Sequence, residues 1–550
     1  MRNFYQYIYT ILSRKKSSFF IIPVCIAAKS LLIFFYSYIG KDKIYSLSAS
    51  YNLLHGKGWT NSFYYLDNLD KEVLSPFCYW PPGYGLLITP LQKIFSQNIF
   101  LATTIFEIIS FITFIFLCKA ILKKQRLSVA WLNASTILLS FFSHEFIETS
   151  LGTDLPALCF VLGFFYCSIH IWDSGLFKKI INYGIVAGIC LFFAGFIRYM
   201  YVPVCLFMAV LLPIVSYLKK KKEAQKGYWL SLGVCSLFLV AAMIFQGTVC
   251  GSPFYTGIDK KGIFFENLDY WYPSAIAAFV NINLVAVQLG KNSSIPYLAW
   301  QQIFSWINLF LYLFIVIIAG KYFYKFRKRE GSEFPAFSFI GFTLSATIIG
   351  ELALLSLTHF VKPTSGGVWT FIVEGRYHAF PVVFLQLFFL TWLAKSNSVF
   401  NFKNFSAVIR SVLFILLLVN FTHQVYYTTK VAMNYRAMKA GAVREQDYVF
   451  FESLLKKTIK ENPDKDIVVA SSDRYYPLLA SMLEKKGIAD GYNLNNSIAA
   501  VNKPSILFTV IFGFELSRYG NYLRNSDVKL VKEVAGTKIY IQMLNPVVKQ

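Results

Sequence analysis

Residues 219–250 read KKKKEAQKGYWLSLGVCSLFLVAAMIFQGTVC, a lysine cluster followed by an uncharged apolar run over 229–250. A run of this length is long enough to cross a bilayer as an α-helix. Comparable runs occur at about eleven places, and the sequence therefore predicts an α-helical polytopic membrane protein with about 11 transmembrane helices. The predicted spans are roughly 18–38, 97–118, 128–143, 155–172, 180–197, 200–218, 229–250, 302–320, 335–356, 377–394 and 407–424.

The composition of the 550 residues agrees with a membrane protein: 56% are hydrophobic and only 15% are charged. Soluble proteins carry about a quarter charged residues, so this composition excludes an ordinary soluble enzyme and a disordered chain. It also disfavours a transmembrane β-barrel, because the apolar runs are long and do not alternate with polar residues.

The net charge of +24 is concentrated in alternate connections between the spans. One set of short connections holds 23 Lys and Arg against four acids, whereas the other set holds 11 of each. The positive-inside rule assigns the first set to the cytoplasm, so the net charge indicates membrane orientation and disfavours a nucleic-acid partner. We expect a multi-pass protein of the plasma (inner) membrane, with a cytoplasmic N-terminus and an extracytoplasmic C-terminal domain. The apolar segment 274–290 contains amides and is interpreted as an interfacial or re-entrant helix.

The chain divides into a predicted transmembrane domain, 1–424, and a small α/β domain, 425–550, on the outer face. Two long loops, 39–96 and 251–301, are expected on the same face. Within the first loop, residues 42–56 are interpreted as an amphipathic helix on the membrane surface. The residues that follow, 60–79, are expected to be irregular. Then comes a rigid Pro-Pro turn that opens segment 80–95.

The hydrophobic pattern of residues 425–550 alternates between helix and strand periods. It predicts a central strand at 466–471 and a buried strand at 505–512, with a hairpin at the end of the chain. The remaining expectations are helices over 444–461 and 475–486 and hairpin strands over 528–532 and 537–543.

Most of the nine cysteines lie inside predicted spans, where they act as small apolar residues. No spacing of Cys and His indicates a metal site. Cys78 and Cys250 both fall on the outer side, and a disulfide between them is one option.

Acidic residues at the outer face are the first candidates for chemistry. Asp42 lies at an expected helix start and could act as a general base, although a helix N-cap or a solvated charge explains it equally simply. The acidic loop 144–154 contains His144, Glu148 and Asp154, which could bind sugar hydroxyls or a metal. Asp154 could also cap the helix that follows it.

Arginines at outer span ends are the second group of candidates. Arg198 and Arg376 could bind a phosphate or pyrophosphate, or they could extend towards lipid headgroups. Glu374 could pair with Arg376. Within spans, Glu107 and Glu351 are functional candidates because an intramembrane charge is costly, although a buried neutral carboxyl bonded to a neighbouring helix explains them equally well. Lys29 could pair with one of them.

The order of these motifs resembles the GT-C superfamily of polytopic glycosyltransferases, in particular the family 39-like group of protein mannosyltransferases and lipid A aminoarabinose transferases. The resemblance covers roughly 1–424 and lies in the order and topology of several short motifs. They are Asp42 with Tyr45, Ala49 and Leu53-Leu54, then 56–59 (GKGW), 80–84 (WPPGY), Asp154, Arg198-Tyr199 and Glu374-Gly375-Arg376-Tyr377.

The resemblance implies an enzyme that takes a sugar from a polyprenyl-phosphate donor and transfers it, with inversion, to a lipid, polysaccharide or protein acceptor on the outer face. It implies that Asp42 is the catalytic base and Asp154 a second catalytic acid. Arg198 and Arg376 would lie near the donor phosphate, and Tyr84 would shape the cavity floor. The other implied substrate-binding residues are His144, Glu148, Glu374 and Tyr377.

Two departures from the family pattern affect this interpretation. Lys43 follows Asp42 where many relatives carry a second acid, and Trp80 precedes the Pro-Pro turn where some carry a basic residue. Both departures weaken the case for a metal-dependent mechanism, although a divalent metal remains an alternative. No cofactor is indicated, and a single base is chemically sufficient for the transfer. The rival hypotheses are a transporter or flippase of a lipid-linked saccharide, motivated by the intramembrane charges, and a structural protein whose outer domain binds a partner.

Overall fold

The structure is a computed structural model of the 550-residue chain, and it describes eleven continuous stretches. Residue 7 and isolated positions or runs of two or three residues between 303 and 429 are also described. The stretches are 10–35, 41–65, 67–78, 80–95, 98–141, 153–198, 201–252, 379–395, 447–488, 503–534 and 537–545.

The chain is a mostly helical integral membrane protein with a small C-terminal sheet domain. Among the described residues, five helices are long and apolar enough to cross a membrane: Lys16–Phe34, Ile99–Lys124, Asp154–Asp173, Phe177–Ile197 and Lys222–Cys250. The helices of the N-terminal half are α1 (Lys15–Phe35), α2 (Lys41–Leu54), α3 (Gly83–Ile94), α4 (Ile99–Lys124), α5 (Val129–Phe141), α6 (Asp154–Asp173), α7 (Phe177–Ile197), α8 (Val202–Leu218) and α9 (Lys222–Cys250). Helix α10 (Ala379–Ala394) matches the span predicted at 377–394.

The predicted spans up to residue 250, and the one at 377–394, are confirmed as helices. The spans predicted at 302–320, 335–356 and 407–424, and the helix predicted at 274–290, lie wholly or largely outside the described residues. Helix α6 forms the centre of the described helices and is buried along most of its length. Close approach of α7 to α9 depends on small residues, since a Cβ on Gly188 would lie 2.5 Å from the carbonyl oxygen of Ser231.

The C-terminal domain is built on a seven-stranded sheet. The elements are β1 (Thr60–Tyr65), β2 (Asn68–Pro76), α11 (Asp447–Glu461), β3 (Asp466–Ser471), α12 (Tyr475–Met482), β4 (Lys486–Ile488), β5 (Ser505–Phe512), α13 (Gly520–Leu523), β6 (Lys529–Val534) and β7 (Thr537–Leu544). The strand order is β2-β1-β4-β3-β5-β7-β6. The central strands β4, β3 and β5 are parallel, and the C-terminal hairpin β6–β7 is antiparallel. Alternate residues of β3 face opposite sides: Ile467 and Val469 face helices, whereas Val468 and Ala470 face the 3-10 turn 513–519.

The first outer loop contributes two strands to this sheet, which corrects the prediction that residues 60–79 are irregular. Strands β1 and β2 form an antiparallel hairpin, and Tyr64 of β1 pairs with Ile488 of β4. Because more than 400 residues separate these partners, no local pattern could indicate the pairing. The first loop and the C-terminal domain therefore lie on the same side of the helices.

Two further predictions need correction. Helix α2 is enclosed by the protein rather than exposed as an amphipathic surface helix: its apolar side (Ile44, Leu47) is buried, and so is its polar side (Ser46, Ser48). It packs between α3 and α12, and Gly85 of α3 allows the close approach, because a Cβ there would lie 2.6 Å from the carbonyl oxygen of Ser46. The helix predicted over 475–486 ends at Met482, because the chain must turn there to enter β4.

A disulfide joins Cys78, at the end of the β-hairpin, to Cys250, at the end of α9, with 5.8 Å between the Cα atoms. The other seven cysteines are free thiols.

We expect alkylation of denatured, unreduced protein to label seven thiols, and labelling after reduction to reach nine, as measured by intact mass. Labelling of all nine without reduction would contradict the bridge.

Candidate active site

The candidate site lies where α2, α3, α4, α6 and α7 come together. It is on the side of these helices where α2 packs against the C-terminal domain. Asp42 is the second residue of α2, so the expected helix start at this acid is confirmed for the backbone. Its side chain lies outside what the structure describes. The next residue, Lys43, is fully buried, which is rare for a lysine unless a partner neutralises its charge.

The partner of Lys43 is Glu107, two turns into the apolar helix α4. The ammonium Nζ lies 2.7 Å from Glu107 Oε1, and both side chains are almost completely buried. The phenol of Tyr84, on α3, donates a hydrogen bond of 3.0 Å to the same oxygen. Burial, and then the charge of Glu107, hold the pKa of Tyr84 well above its usual value, so the phenol stays a neutral donor.

A second buried ion pair lies between the start of α6 and the end of α7. Arg198 Nε lies 2.6 Å from Asp154 Oδ1, and the two side chains are 6% and 3% exposed. Asp154 is the first residue of α6, where the helix dipole also favours a negative charge. Tyr201, which precedes α8, is buried beside both charges.

The two ion pairs belong to one cluster. A Cβ on Gly83 would lie 2.5 Å from the carbonyl oxygen of Phe196, so α3 begins in backbone contact with the last turn of α7. This contact places Tyr84 next to the segment that carries Arg198. The carboxylates of Glu107 and Asp154 are also near enough to interact electrostatically. We call Lys43, Tyr84, Glu107, Asp154 and Arg198 the buried charge cluster.

The buried charge cluster is balanced, since two cations face two carboxylates. A balanced set can remain charged in a low-dielectric interior because each desolvated charge has a partner. Its arrangement fixes the ends of four helices relative to one another at a single level. The cluster therefore holds the start of α2, where Asp42 lies, in a fixed position.

Several predicted site residues are not described by the structure. His144, Glu148, Glu374, Arg376 and Tyr377 all lie outside the described residues. Of the predicted site, the structure brings together Asp154, Arg198 and Tyr84, and it adds the backbone of Asp42. In the part of the chain that the structure describes, no three His, Cys, Asp or Glu side chains come together in a way that could hold a metal ion.

Lys43 is the member of the cluster that sequence reasoning missed. In the sequence it stands out only as a departure from the family pattern, and the predicted partner for Glu107 or Glu351 is Lys29. The structure gives that place to Lys43, which comes from the outer loop. One signal was available: an acid inside an apolar span needs a cation, and Lys43 follows the first span closely.

No protein-family model and no curated protein matches this sequence. Among solved structures, ArnT from Cupriavidus metallidurans bound to undecaprenyl phosphate is similar, with a TM-score of 0.49 and 9% identity over 95% of this chain and 97% of that chain. The apo state of the same protein gives a TM-score of 0.40. The archaeal oligosaccharyltransferase AglB from Archaeoglobus fulgidus, in complex with an inhibitory peptide and a dolichol-phosphate, gives 0.46 with 10% identity over 90% of this chain and 69% of that chain.

Both proteins belong to the GT-C superfamily. The solved structures to which this chain is similar are thus members of the superfamily that the sequence pattern resembles. At about 10% sequence identity, the role of a residue in one of those proteins is not transferred to a residue of this chain.

Proposed function

We propose that this protein transfers a sugar from a polyprenyl-phosphate-linked donor to a hydroxyl group of an acceptor at the outer face of the membrane. The observation that carries the proposal is the buried charge cluster at the start of α2. It lies where α3 and α6 begin and α7 ends, two turns into α4, and α2 also packs against α12 of the C-terminal domain. The order of motifs shared with GT-C glycosyltransferases supports the same function.

In the proposed reaction, Asp42 is the general base. Its carboxylate removes the proton of the acceptor hydroxyl while the oxygen attacks the anomeric carbon of the sugar. The bond between that carbon and the phosphate oxygen breaks, and polyprenyl phosphate leaves with the bonding electrons. Because attack and departure take place on opposite faces, the anomeric configuration is inverted.

The departing phosphate gains negative charge, which cations at the site must stabilise. Arg198 is proposed for this role, and its pairing with Asp154 would orient the guanidinium. In this proposal Asp154 acts by holding Arg198 rather than as a second base. Arg376 is proposed as a further phosphate contact, and Tyr377, Glu374, Glu148 and His144 as residues that contact the sugar or acceptor.

The outer face is proposed to be the extracytoplasmic side of the plasma membrane. The Cys78–Cys250 bridge supports this orientation, since such bonds form in oxidising compartments. The concentration of Lys and Arg in the opposite set of connections supports it independently.

The function can be tested without knowing the sugar or the acceptor, because one product is common to all cases. Membranes that contain the protein are supplied with a panel of polyprenyl-phosphate-linked sugars, each labelled in the sugar. We expect one donor to yield free polyprenyl phosphate and to transfer its label to an acceptor, whereas membranes lacking the protein yield neither. Passage of label across the bilayer without release of polyprenyl phosphate would instead identify a transporter.

A further inference from the structure

Helix α2 is held at both of its ends by different parts of the protein. Near its start, Lys43 is bound by Glu107 and Tyr84 of the membrane part. Near its end, the Tyr51 phenol donates a hydrogen bond of 3.2 Å to Glu484 Oε1 of the C-terminal domain. A helix of 14 residues is about 21 Å long and moves as a rigid unit. A shift at its end is therefore transmitted to its start.

Glu484 has a left-handed backbone conformation, which Gly and Asn adopt more readily than glutamate. Its φ is +58°, in the left-handed region, directly after α12. The turn is closed by hydrogen bonds from the N–H of Glu484 to the Ser481 oxygen and from the N–H of Lys485 to the Ala480 oxygen. This helix-ending motif favours Gly or Asn, so a glutamate here carries a backbone cost that those residues avoid.

The segment that follows α2 is also attached to the C-terminal domain. Arg474 lies over the ring of Phe63 in β1, 5.9 Å from its centre. Lys486 lies 3.6 Å from Asp70 of β2. The apolar sides of α2 and α12 belong to one hydrophobic core. These contacts join the C-terminal domain to the α2–β1 segment rather than leaving it as a separate appendage.

We propose that Glu484 and Tyr51 are positioning residues, through which the C-terminal domain sets the position of α2 and so of the base at its start. The inference rests on the proposed function of Asp42. A general base must lie within hydrogen-bond reach of the proton that it removes, and a displacement of 1 Å can lower a rate by about 100-fold. Burial, and then the charge of Glu484, raise the pKa of Tyr51, so its phenol remains a hydrogen-bond donor.

The test uses the Glu484→Asn variant in the full-length protein. Asn is well suited to the left-handed turn, but its side chain is too short to reach Tyr51, so the variant removes the contact without adding backbone strain. We expect kcat for polyprenyl phosphate release to fall about tenfold or more, with KM for the donor unchanged. The unfolding temperature should stay the same or rise. Tyr51→Phe should lower kcat similarly, whereas Glu484→Gln, whose amide oxygen still accepts the bond, should retain activity.

Lys220 offers a matched control at the opposite end of the helices. It has a φ of +54° after α8, and its turn is closed by the same pair of hydrogen bonds, to Tyr217 and Ser216. Lys220→Asn relieves the same strain far from α2 and should leave kcat unchanged.

Three outcomes overturn the inference. If Glu484→Asn is as active as the wild type, the contact does not position the base. If its kcat falls only together with its unfolding temperature, the contact is merely structural. If the wild type itself releases no polyprenyl phosphate from any donor, the proposed function fails and this role fails with it; activity in the wild type separates the first two outcomes from the third.

Discussion

Replacement of Asp42 by Asn is expected to lower glycosyl transfer by about 10²–10⁴-fold, the usual contribution of a general base. An amide has nearly the same shape as a carboxylate but cannot accept the proton of the acceptor hydroxyl. The measurement is the initial rate of polyprenyl phosphate release at saturating donor. Because the reaction itself is impaired, the loss should appear in kcat.

Stability should change little in the Asp42→Asn variant. Asp42 lies in the first turn of α2, where loss of a negative charge costs about 0.3–1 kcal/mol. Asp67→Asn is the matched control, since Asp67 is an exposed acid of the same loop, at the turn between β1 and β2. Transfer by Asp42→Asn at the rate of Asp67→Asn would show that another group removes the proton.

The Glu107→Gln substitution is expected to lower the free energy of unfolding by about 3–5 kcal/mol, because it leaves the ammonium of Lys43 buried without a countercharge. Both side chains are almost completely excluded from solvent, so water cannot replace the lost partner. With the per-residue unfolding entropy of globular proteins, a loss of this size in 550 residues corresponds to about 3–4 °C. Thermal unfolding in detergent, followed by tryptophan fluorescence, measures it.

An exposed ion pair of similar geometry provides the control for Glu107→Gln. Glu223 and Lys226 on α9 are 2.8 Å apart but 46% and 60% exposed, so Glu223→Gln should cost less than about 0.5 kcal/mol. The double variant Lys43→Met/Glu107→Met should recover most of the stability, because replacing both buried charges by apolar groups removes the desolvation penalty. Equal unfolding temperatures for Glu107→Gln and Glu223→Gln would contradict the proposed burial of an essential pair.

Periodicity and charge predicted the membrane helices and most of the C-terminal domain. The strand at 466–471 has the predicted bounds, and so does the strand at 505–512. Such segments are predictable because their apolar residues recur with the period of the element itself. Helix α9 illustrates the same point, since its lysine-rich start and uncharged body are visible in the sequence.

The site was predictable only in part. Asp154 and Arg198 were singled out separately, as an acid at a helix start and an arginine at a helix end. Their contact of 2.6 Å depends on how α6 packs against α7, and no spacing in the chain indicates it. In the sequence Lys43 stands out only as a departure from the family pattern, whereas in the structure it neutralises an acid on another helix.

The sequence by itself determined which segments form long apolar helices and which polar residues lie at their ends, and it predicted their orientation in the membrane. These properties follow from the transfer of each residue between water and lipid, which is a local quantity. Only the tertiary structure decided that Lys43 pairs with Glu107, that the first loop joins the C-terminal sheet and that Tyr51 meets Glu484. These contacts join residues that are 64 to 433 positions apart. They contribute to the stability of the protein only after the intervening helices have packed, so no local sequence pattern indicates them.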